Sequence, residues 1–137
     1  MALVDDIAGL RRILTQSRVI AVVGLSSQWY RPSYFAAKYM HDHGYRIIPV
    51  NPSYDAVLGA KCYPSVAAIP ERVDIVDCFR KPEEMVALAH EAIAKRAKVL
   101  WMQLGIRNDA AAERLARAGI DVVQDRCLMV ELRRMGR

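Results

Sequence analysis

The chain has 137 residues, of which 53% are hydrophobic and 26% are charged, so it is expected to fold as one globular domain rather than remain disordered. Its apolar runs are much shorter than the roughly 20 residues that span a membrane, and its amino-terminal residues do not resemble a signal peptide. A cytoplasmic protein without membrane attachment is therefore expected. The net charge of +5 comes from dispersed basic residues, which argues against a nucleic-acid partner.

Cysteine and histidine do not form a recognisable metal or disulfide pattern. The three cysteines are odd in number and far apart: Cys62, Cys78 and Cys127. We expect reduced and mostly buried thiols. The three histidines lack partners at metal-ligand spacing and are expected to be solvated or to cap helices: His41, His43 and His90. The sequence therefore predicts no metal site.

The first predicted elements are a helix, a strand and a second helix. Apolar residues at helical spacing predict a helix from Asp5 to Gln16. The apolar run 19–23 ends at Gly24 and is typical of a strand buried on both faces of a parallel sheet. Pro32 suits the first turn of the next helix, and Gly44 suits its end. The inner face of that helix is predicted to carry Phe35, Ala36, Tyr39 and Met40.

Strands and helices continue to alternate along the rest of the chain. Strands are predicted over residues 45–50, 73–79, 99–104 and 120–123, with a further short strand around residues 61–63. Helices are predicted over residues 82–96, 108–118 and 128–135. Pro49 is an awkward residue within a strand, because proline cannot donate to a strand ladder. Such alternation predicts a single α/β domain over residues 1–137, of the doubly wound Rossmann-like class, with a mostly parallel sheet of about five to six strands.

The segment that follows the first predicted strand has features of a phosphate site. Gly24 allows a sharp turn, Ser26 and Ser27 offer hydroxyl and N–H donors, and Arg31 precedes a helix amino terminus, which favours an anion. The same residues also fit a plain turn with an exposed arginine. Ligands of open α/β sheets bind beyond the carboxyl ends of the strands, so residues after the other strands are expected nearby.

The sequence departs from the pattern of a dinucleotide site. The fingerprint G-x-G-x-x-G requires two further glycines, where this chain has Ser26 and Trp29. The second strand ends in Asn51 and Pro52 rather than in the carboxylate that would hold a ribose diol. These departures argue against a nicotinamide cofactor. A Walker A loop and a serine triad pattern are also absent from the sequence, and no catalytic residue is assigned.

Six motifs occur in an order and at a spacing that resemble a known family. They are VVGLSSQWYRPSYFAAKYM, GYRIIPVNP, VLGAKCYPSV, VDIVDCFRKPE, WMQLGIRND and VVQDRCLMVE. Together they are similar to the small single-domain CoA-binding proteins, which in turn are similar to the amino-terminal CoA-binding domain of the succinate–CoA ligase alpha subunit. The resemblance covers residues 15–131 and implies a Rossmann-like fold with coenzyme A as ligand.

The resemblance also implies a set of CoA-binding residues. By position these are Gly24, Ser26, Ser27, Arg31, Val50, Asn51, Pro52, Phe79, Arg80, Gln103, Leu104 and Gly105. Lys61, in a motif typical of the small proteins, is added as a phosphate contact. Arg31, Lys61 and Arg80 offer the positive charge that the pyrophosphate and 3′-phosphate of CoA need.

The resemblance gives no reason to expect ligase activity. The ligase uses a phosphorylated histidine in a further domain and a nucleotide-binding partner subunit, and none of the three histidines here has that context. We therefore expect a protein that binds CoA or an acyl-CoA without catalysis. The alternatives are an enzyme dependent on CoA or NAD(P), and a regulatory subunit that pairs with a separate ligase-like protein.

Overall fold

Five strands form one parallel sheet in the computed structural model, which describes residues 3–136. The strands of the chain are β1 (Val19–Val23), β2 (Arg46–Val50), β3 (Ala56–Val57), β4 (Ala60–Lys61), β5 (Ile75–Cys78), β6 (Val99–Met102) and β7 (Asp121–Val123). The sheet has the order β2-β1-β5-β6-β7 with all neighbours parallel, whereas β3 and β4 form a separate antiparallel pair. The predicted doubly wound, Rossmann-like α/β fold is confirmed.

Helices cover both faces of this sheet. They are α1 (Ile7–Gln16), α2 (Pro32–Asp42), α3 (Met85–Lys95), α4 (Asp109–Arg117) and α5 (Leu128–Arg134). Apolar side chains of α3 and α4 pack on one face of the sheet, and those of α1, α2 and α5 pack on the other. Among the described residues, no helix combines the length and the apolar character needed to cross a bilayer.

β1 lies at the point where the strand order reverses. The chain passes from β1 through α2 to β2 on one side, and β5 later pairs with β1 on the other side. Four of the five β1 residues are buried, as the unbroken apolar run predicts. Open α/β sheets bind their ligands beyond the carboxyl ends of the strands at such a point. The segments that follow β1, β2 and β5 therefore meet where a ligand is expected.

The sheet accommodates Pro49 because β2 is an edge strand. The Pro49 carbonyl accepts a hydrogen bond from the Tyr63 N–H at 3.0 Å, and the Asn51 N–H donates to the Tyr63 carbonyl at 2.9 Å. These contacts lie on the outer edge of β2, away from β1. The nitrogen of Pro49 faces the same outer edge, so the ladder between β1 and β2 loses no hydrogen bond.

Two details of the predicted helices are wrong. Phe35 is 44% exposed rather than inward. Ala36 and Met40 are buried as predicted, Tyr39 is half-buried, and Ser33 and Ala37 complete the buried face of α2. Ser33 lies on the buried face because its side-chain oxygen accepts a hydrogen bond from the Ser26 N–H in the loop after β1. Pro82 opens a 3-10 turn over Pro82–Glu84, and α3 begins only at Met85.

Candidate functional site

Gly24 brings the ends of three strands together. Its N–H donates to the Val50 carbonyl at 2.8 Å, and its φ of +86° is unfavourable for any other residue. A Cβ at this position would lie 2.5 Å from the Phe79 carbonyl oxygen and 3.4 Å from Nε of Arg80. The lack of a side chain therefore lets the segment after β5 approach the end of β1.

The loop after β1 is folded against the amino terminus of α2. The Ser26 N–H donates to Oγ of Ser33 at 3.0 Å, and the Gln28 N–H donates to Oγ of Ser26, also at 3.0 Å. Arg31 is the residue that precedes the helix, and its side chain does not cap the first turn but donates from Nε to Gln28 at 3.2 Å. The positive end of an 11-residue helix therefore faces the loop beside an exposed guanidinium.

Asn51 ties the loop after β2 to the loop after β1. Its Nδ2 donates to the Leu25 carbonyl at 3.2 Å, and its Oδ1 accepts from the Ser53 N–H at 2.9 Å. An ionised aspartate at this position could not donate to the Leu25 carbonyl. The asparagine in place of the carboxylate expected of a dinucleotide site thus has a local structural reason.

Tyr54 also belongs to the site, although the sequence motifs do not single it out. Hydrogen bonds with the side chains of Ser27 and Ser26 hold the pKa of the Tyr54 phenol below its ordinary value. The only signal in the sequence is position, because Tyr54 lies three residues after Asn51 in a loop that follows a parallel strand. The hydroxyl of Tyr54 therefore adds a polar group to the loop after β1.

Arg80 lies between two grooves at this edge of the sheet. The first, here named the α3 groove, has a volume of about 540 Å³. Its apolar lining includes Val23, Val50, Val66 and Leu88, and its charged lining consists of Arg80, Glu83, Glu84 and Glu91. The second, here named the β5–β6 groove, measures about 500 Å³ and is lined by Phe79, Arg80, Lys81, Pro82, Glu84 and Ile106. Arg80 can therefore reach a ligand in either groove.

The segment after β6 is anchored toward the interior. Gln103 is buried, and its side chain donates to Oδ1 of Asp77 at 2.5 Å and accepts from the Leu128 N–H at 3.4 Å. Leu104 is 72% exposed, and the Gly105 N–H donates to Oδ1 of Asp125 at 2.6 Å. The side chain of Gln103 is thus directed into the fold, and these three residues line neither groove.

Asp77 is a buried carboxyl that no sequence motif singles out. It is only 3% exposed, and burial raises its pKa to about 7 although the hydrogen bond from Gln103 acts in the opposite direction. Asp77 lies in β5 among buried apolar residues. This pattern gives no indication that its hydrogen-bond partner is Gln103, in the segment after β6. Its contact with Gln103 joins β5 to the segment after β6.

Lys61 and Trp29 lie at the margins of the site. Lys61 is exposed on β4, with its Nζ 5.2 Å from the centre of the Tyr63 ring, and it lines neither groove. Trp29 is 75% exposed and contacts Tyr30 edge-on at 5.8 Å between ring centres. Most of the Trp29 side chain is therefore exposed to solvent.

The structure gathers most, but not all, of the predicted ligand contacts. Hydrogen bonds, close approach or a shared groove join Gly24, Ser26, Ser27, Arg31, Val50, Asn51, Pro52, Phe79 and Arg80 into one surface. Gln103, Leu104, Gly105 and Lys61 lie outside it. Whether any of these residues contacts a ligand stays a prediction.

Comparison with known proteins relates this chain to a family. The uncharacterized protein YneT of Bacillus subtilis is 42% identical over 123 residues, which cover 90% of this chain and 91% of that protein. A hypothetical protein from Pyrococcus horikoshii has a solved structure with a TM-score of 0.94 and 41% identity, covering 97% of this chain and 94% of that one.

A longer relative is an enzyme. An acetate–CoA ligase (ADP-forming) of Archaeoglobus fulgidus is 34% identical over 88 residues, which are 60% of this chain but only 13% of the ligase. Residues 18–133 match the family described as CoA binding domain, and this range contains every residue of the site. The chain therefore belongs to the CoA binding domain family and is related to the CoA-binding region of ADP-forming acetate–CoA ligases.

Proposed function

We propose that the protein binds coenzyme A or an acyl-CoA at the carboxyl edge of its sheet and catalyses no reaction by itself. The observation that carries this proposal is the position of two arginines at the ends of the loop after β1: Arg80 lies beside Gly24 at its start, and Arg31 lies at its end. That loop leads into the amino terminus of α2, and the whole arrangement lies within the matched range 18–133. A helix dipole and two guanidinium groups are together suited to a polyphosphate.

The chemistry of CoA fits the end of β2. Its ribose carries a 3′-phosphate and so lacks the free 2′,3′-diol that a carboxylate would hold in a dinucleotide site. Asn51 offers an amide there, and its Nδ2 already donates to the Leu25 carbonyl. A carboxylate at this position would repel the phosphate. This supports CoA over a nicotinamide dinucleotide.

The cysteine thiols nearest the site do not suggest a reaction. Cys62 is buried and donates to the Asn51 carbonyl at 3.3 Å, and burial raises the pKa of its thiol. Cys78 ends β5 but is fully buried, and burial raises the pKa of its thiol well above the ordinary value. His41 and His43 lie at the carboxyl end of α2, and His90 lies within α3 on an exposed surface beside Arg114. The proposal therefore includes binding and no catalytic step.

Isothermal titration calorimetry with CoA, dephospho-CoA and NAD tests this function. We expect CoA to bind, dephospho-CoA to bind about tenfold more weakly because a charge-assisted contact is lost, and NAD to bind least. Arg80→Gln should weaken CoA binding by a similar factor. Arg117→Gln, which removes the same charge from an ion pair on α4, is the matched control and should leave it unchanged. No binding at about 1 mM CoA would refute the proposal.

A further inference from the structure

We infer that the α3 groove receives the pantetheine arm of a bound acyl-CoA and selects uncharged aliphatic acyl groups over acyl groups that end in a carboxylate. This inference rests on the proposed CoA site and adds to it the class of acyl group. It follows from how charge is distributed on the two sides of β1.

The anion-binding features and the α3 groove lie on opposite faces of the sheet. The loop after β1 leads into α2, whose apolar side chains pack on one face, whereas α3 packs on the other. Arg80 lies between them, because it lines the α3 groove and its Nε lies near Gly24. A ligand that is anionic at one end and neutral at the other would therefore fit with its phosphates on the α2 side and its neutral arm in the groove.

The floor of the α3 groove is apolar. Val23 and Val50 end β1 and β2, and both are buried with 3–4% exposure. Val66 and Leu88 continue the apolar surface toward α3. The volume of about 540 Å³ lies within the range of small-molecule sites, which are mostly apolar. A pantetheine arm with a short aliphatic acyl group would bury its methylene groups on this floor.

The wall of the groove is acidic. Glu83 and Glu84 lie in the 3-10 turn before α3, and Glu91 lies about two helical turns further along. Oε1 of Glu91 accepts from the Ala67 N–H at 3.2 Å, which holds this carboxylate beside the groove. Within residues 3–136, the groove thus presents these three carboxylates against one cation, Arg80. A phosphate or an acyl carboxylate placed there would be repelled.

The β5–β6 groove has the opposite charge balance. Arg80 and Lys81 face one carboxylate among its described lining residues, that of Glu84. An arm that ran along this groove would favour an acyl group with a terminal carboxylate. The two routes therefore predict opposite acyl preferences, and a comparison of ligands separates them.

The experiment is calorimetry of the whole chain with free CoA, butyryl-CoA and succinyl-CoA, which carry a matched four-carbon acyl group with or without a carboxylate. We expect butyryl-CoA to bind at least as tightly as CoA, and succinyl-CoA to bind about five- to tenfold more weakly than butyryl-CoA, as expected for like charges separated by less than a Debye length. The double variant Glu83→Gln/Glu91→Gln should bring the two affinities to within about twofold of each other. A glutamine side chain can still accept from the Ala67 N–H, so the fold should be retained.

Two further variants serve as controls. Asp42→Asn/Glu113→Gln removes the same charge from two ion pairs outside the grooves and should leave the preference for butyryl-CoA intact. Lys81→Gln alters only the β5–β6 groove and should also leave it intact. Failure of free CoA to bind would overturn the proposed function and this inference with it. If CoA binds but succinyl-CoA binds as tightly as butyryl-CoA, or more tightly, only the inference is overturned.

Discussion

At Gly24 the requirement for glycine has two separable causes. The first is its φ of +86°, which it shares with other glycines in the chain. The second is the Phe79 carbonyl oxygen, which would lie 2.5 Å from a Cβ and belongs to backbone that cannot swing away. The apolar run 19–23 correctly predicts a turn at Gly24, but the approach of Phe79, which follows β5, depends on the order of the strands in the sheet.

Gly24→Ala should therefore destabilise the fold more than a positive φ alone would. We expect the free energy of unfolding to fall by about 2–4 kcal/mol, from strain at φ together with displacement of the segment after β5. Gly119→Ala is the matched control, because Gly119 has a φ of +82° but open space, to 4 Å, around the position that a Cβ would take. It should lose only about 1–2 kcal/mol, from the strain at φ alone. Urea denaturation measures both, and equal losses would contradict the role of Phe79.

Asn51 and Tyr54 make hydrogen bonds between loops that sequence motifs do not predict. The sequence correctly places Asn51 at the end of a strand, but its bond to the Leu25 carbonyl depends on how two loops meet in space. The motifs do not reveal Tyr54, because its partners Ser26 and Ser27 are more than 20 residues earlier in the chain. Contacts between loops depend on strand order, which local patterns do not encode.

At the scale of the element, the positions of strands and helices can be predicted from the sequence more reliably than the residues that they contact. Apolar runs and amphipathic spacing locate β1, β2, β5, β6 and β7 to within a few residues, because burial on both faces requires such runs. The inward position predicted for Phe35 is wrong because a stripe read from apolar residues overlooks Ser33, which is buried through a hydrogen bond. Helical periodicity assigns a polar residue such as Ser33 to the exposed face, because the pattern does not reveal the hydrogen bond that allows its burial.

The buried pair Asp77–Gln103 links three elements and makes their stability depend on pH. Asp77 in β5 accepts from Gln103 after β6, and Gln103 accepts from the first residue of α5. Burial raises the pKa of Asp77 to about 7, so the folded state holds its proton more tightly than the unfolded chain does. Its contribution to stability is therefore fully present below the ordinary pKa and is lost as pH rises toward 7.

Asp77→Asn should remove this pH dependence. We expect the free energy of unfolding of the natural chain to fall by roughly 1 kcal/mol per pH unit between about pH 5 and 7 through this group, and the variant to show a smaller decline. Asparagine keeps an oxygen that can accept from Gln103 but carries no charge at any pH, so the variant should be more stable than the natural chain at about pH 8.

Asp74→Asn provides the contrast to this variant. Partial burial opposes ionisation of Asp74, but backbone hydrogen bonds from Val19 and Arg18, together with the nearby ammonium group of Lys98, outweigh it and lower its pKa. Its contribution is therefore present above the ordinary pKa, and Asp74→Asn should be destabilised at about pH 8, where Asp77→Asn is stabilised. Denaturation at about pH 5 and 8 compares them. If the free energy of unfolding of Asp77→Asn declined with pH as steeply as that of the natural chain, the raised pKa of Asp77 would be contradicted.

At the scale of the whole molecule, positive and negative side chains are concentrated in different places at the carboxyl edge of the sheet. The net charge of +5 is modest, and composition alone does not indicate an anionic ligand. The fold, however, places Arg31 and Arg80 beside the loop after β1 and gathers three carboxylates on the α3 wall. The order of motifs along the sequence predicts the family, but this separation of charge emerges only when β1 and α3 are placed in space.

Salt should therefore weaken the binding of CoA while leaving the contribution of a neutral acyl group unchanged. Between about 0.01 and 0.1 M salt the Debye length falls from about 30 Å to about 10 Å, and we expect CoA affinity to fall by roughly tenfold. The ratio of butyryl-CoA to CoA affinity should stay constant, because the butyryl group carries no charge. Arg80→Gln should show a shallower dependence on salt than the natural chain, whereas Arg117→Gln should not. Calorimetry across this range of salt concentration measures these dependences, and a CoA affinity that does not change with salt would contradict the placement of the phosphates beside Arg31 and Arg80.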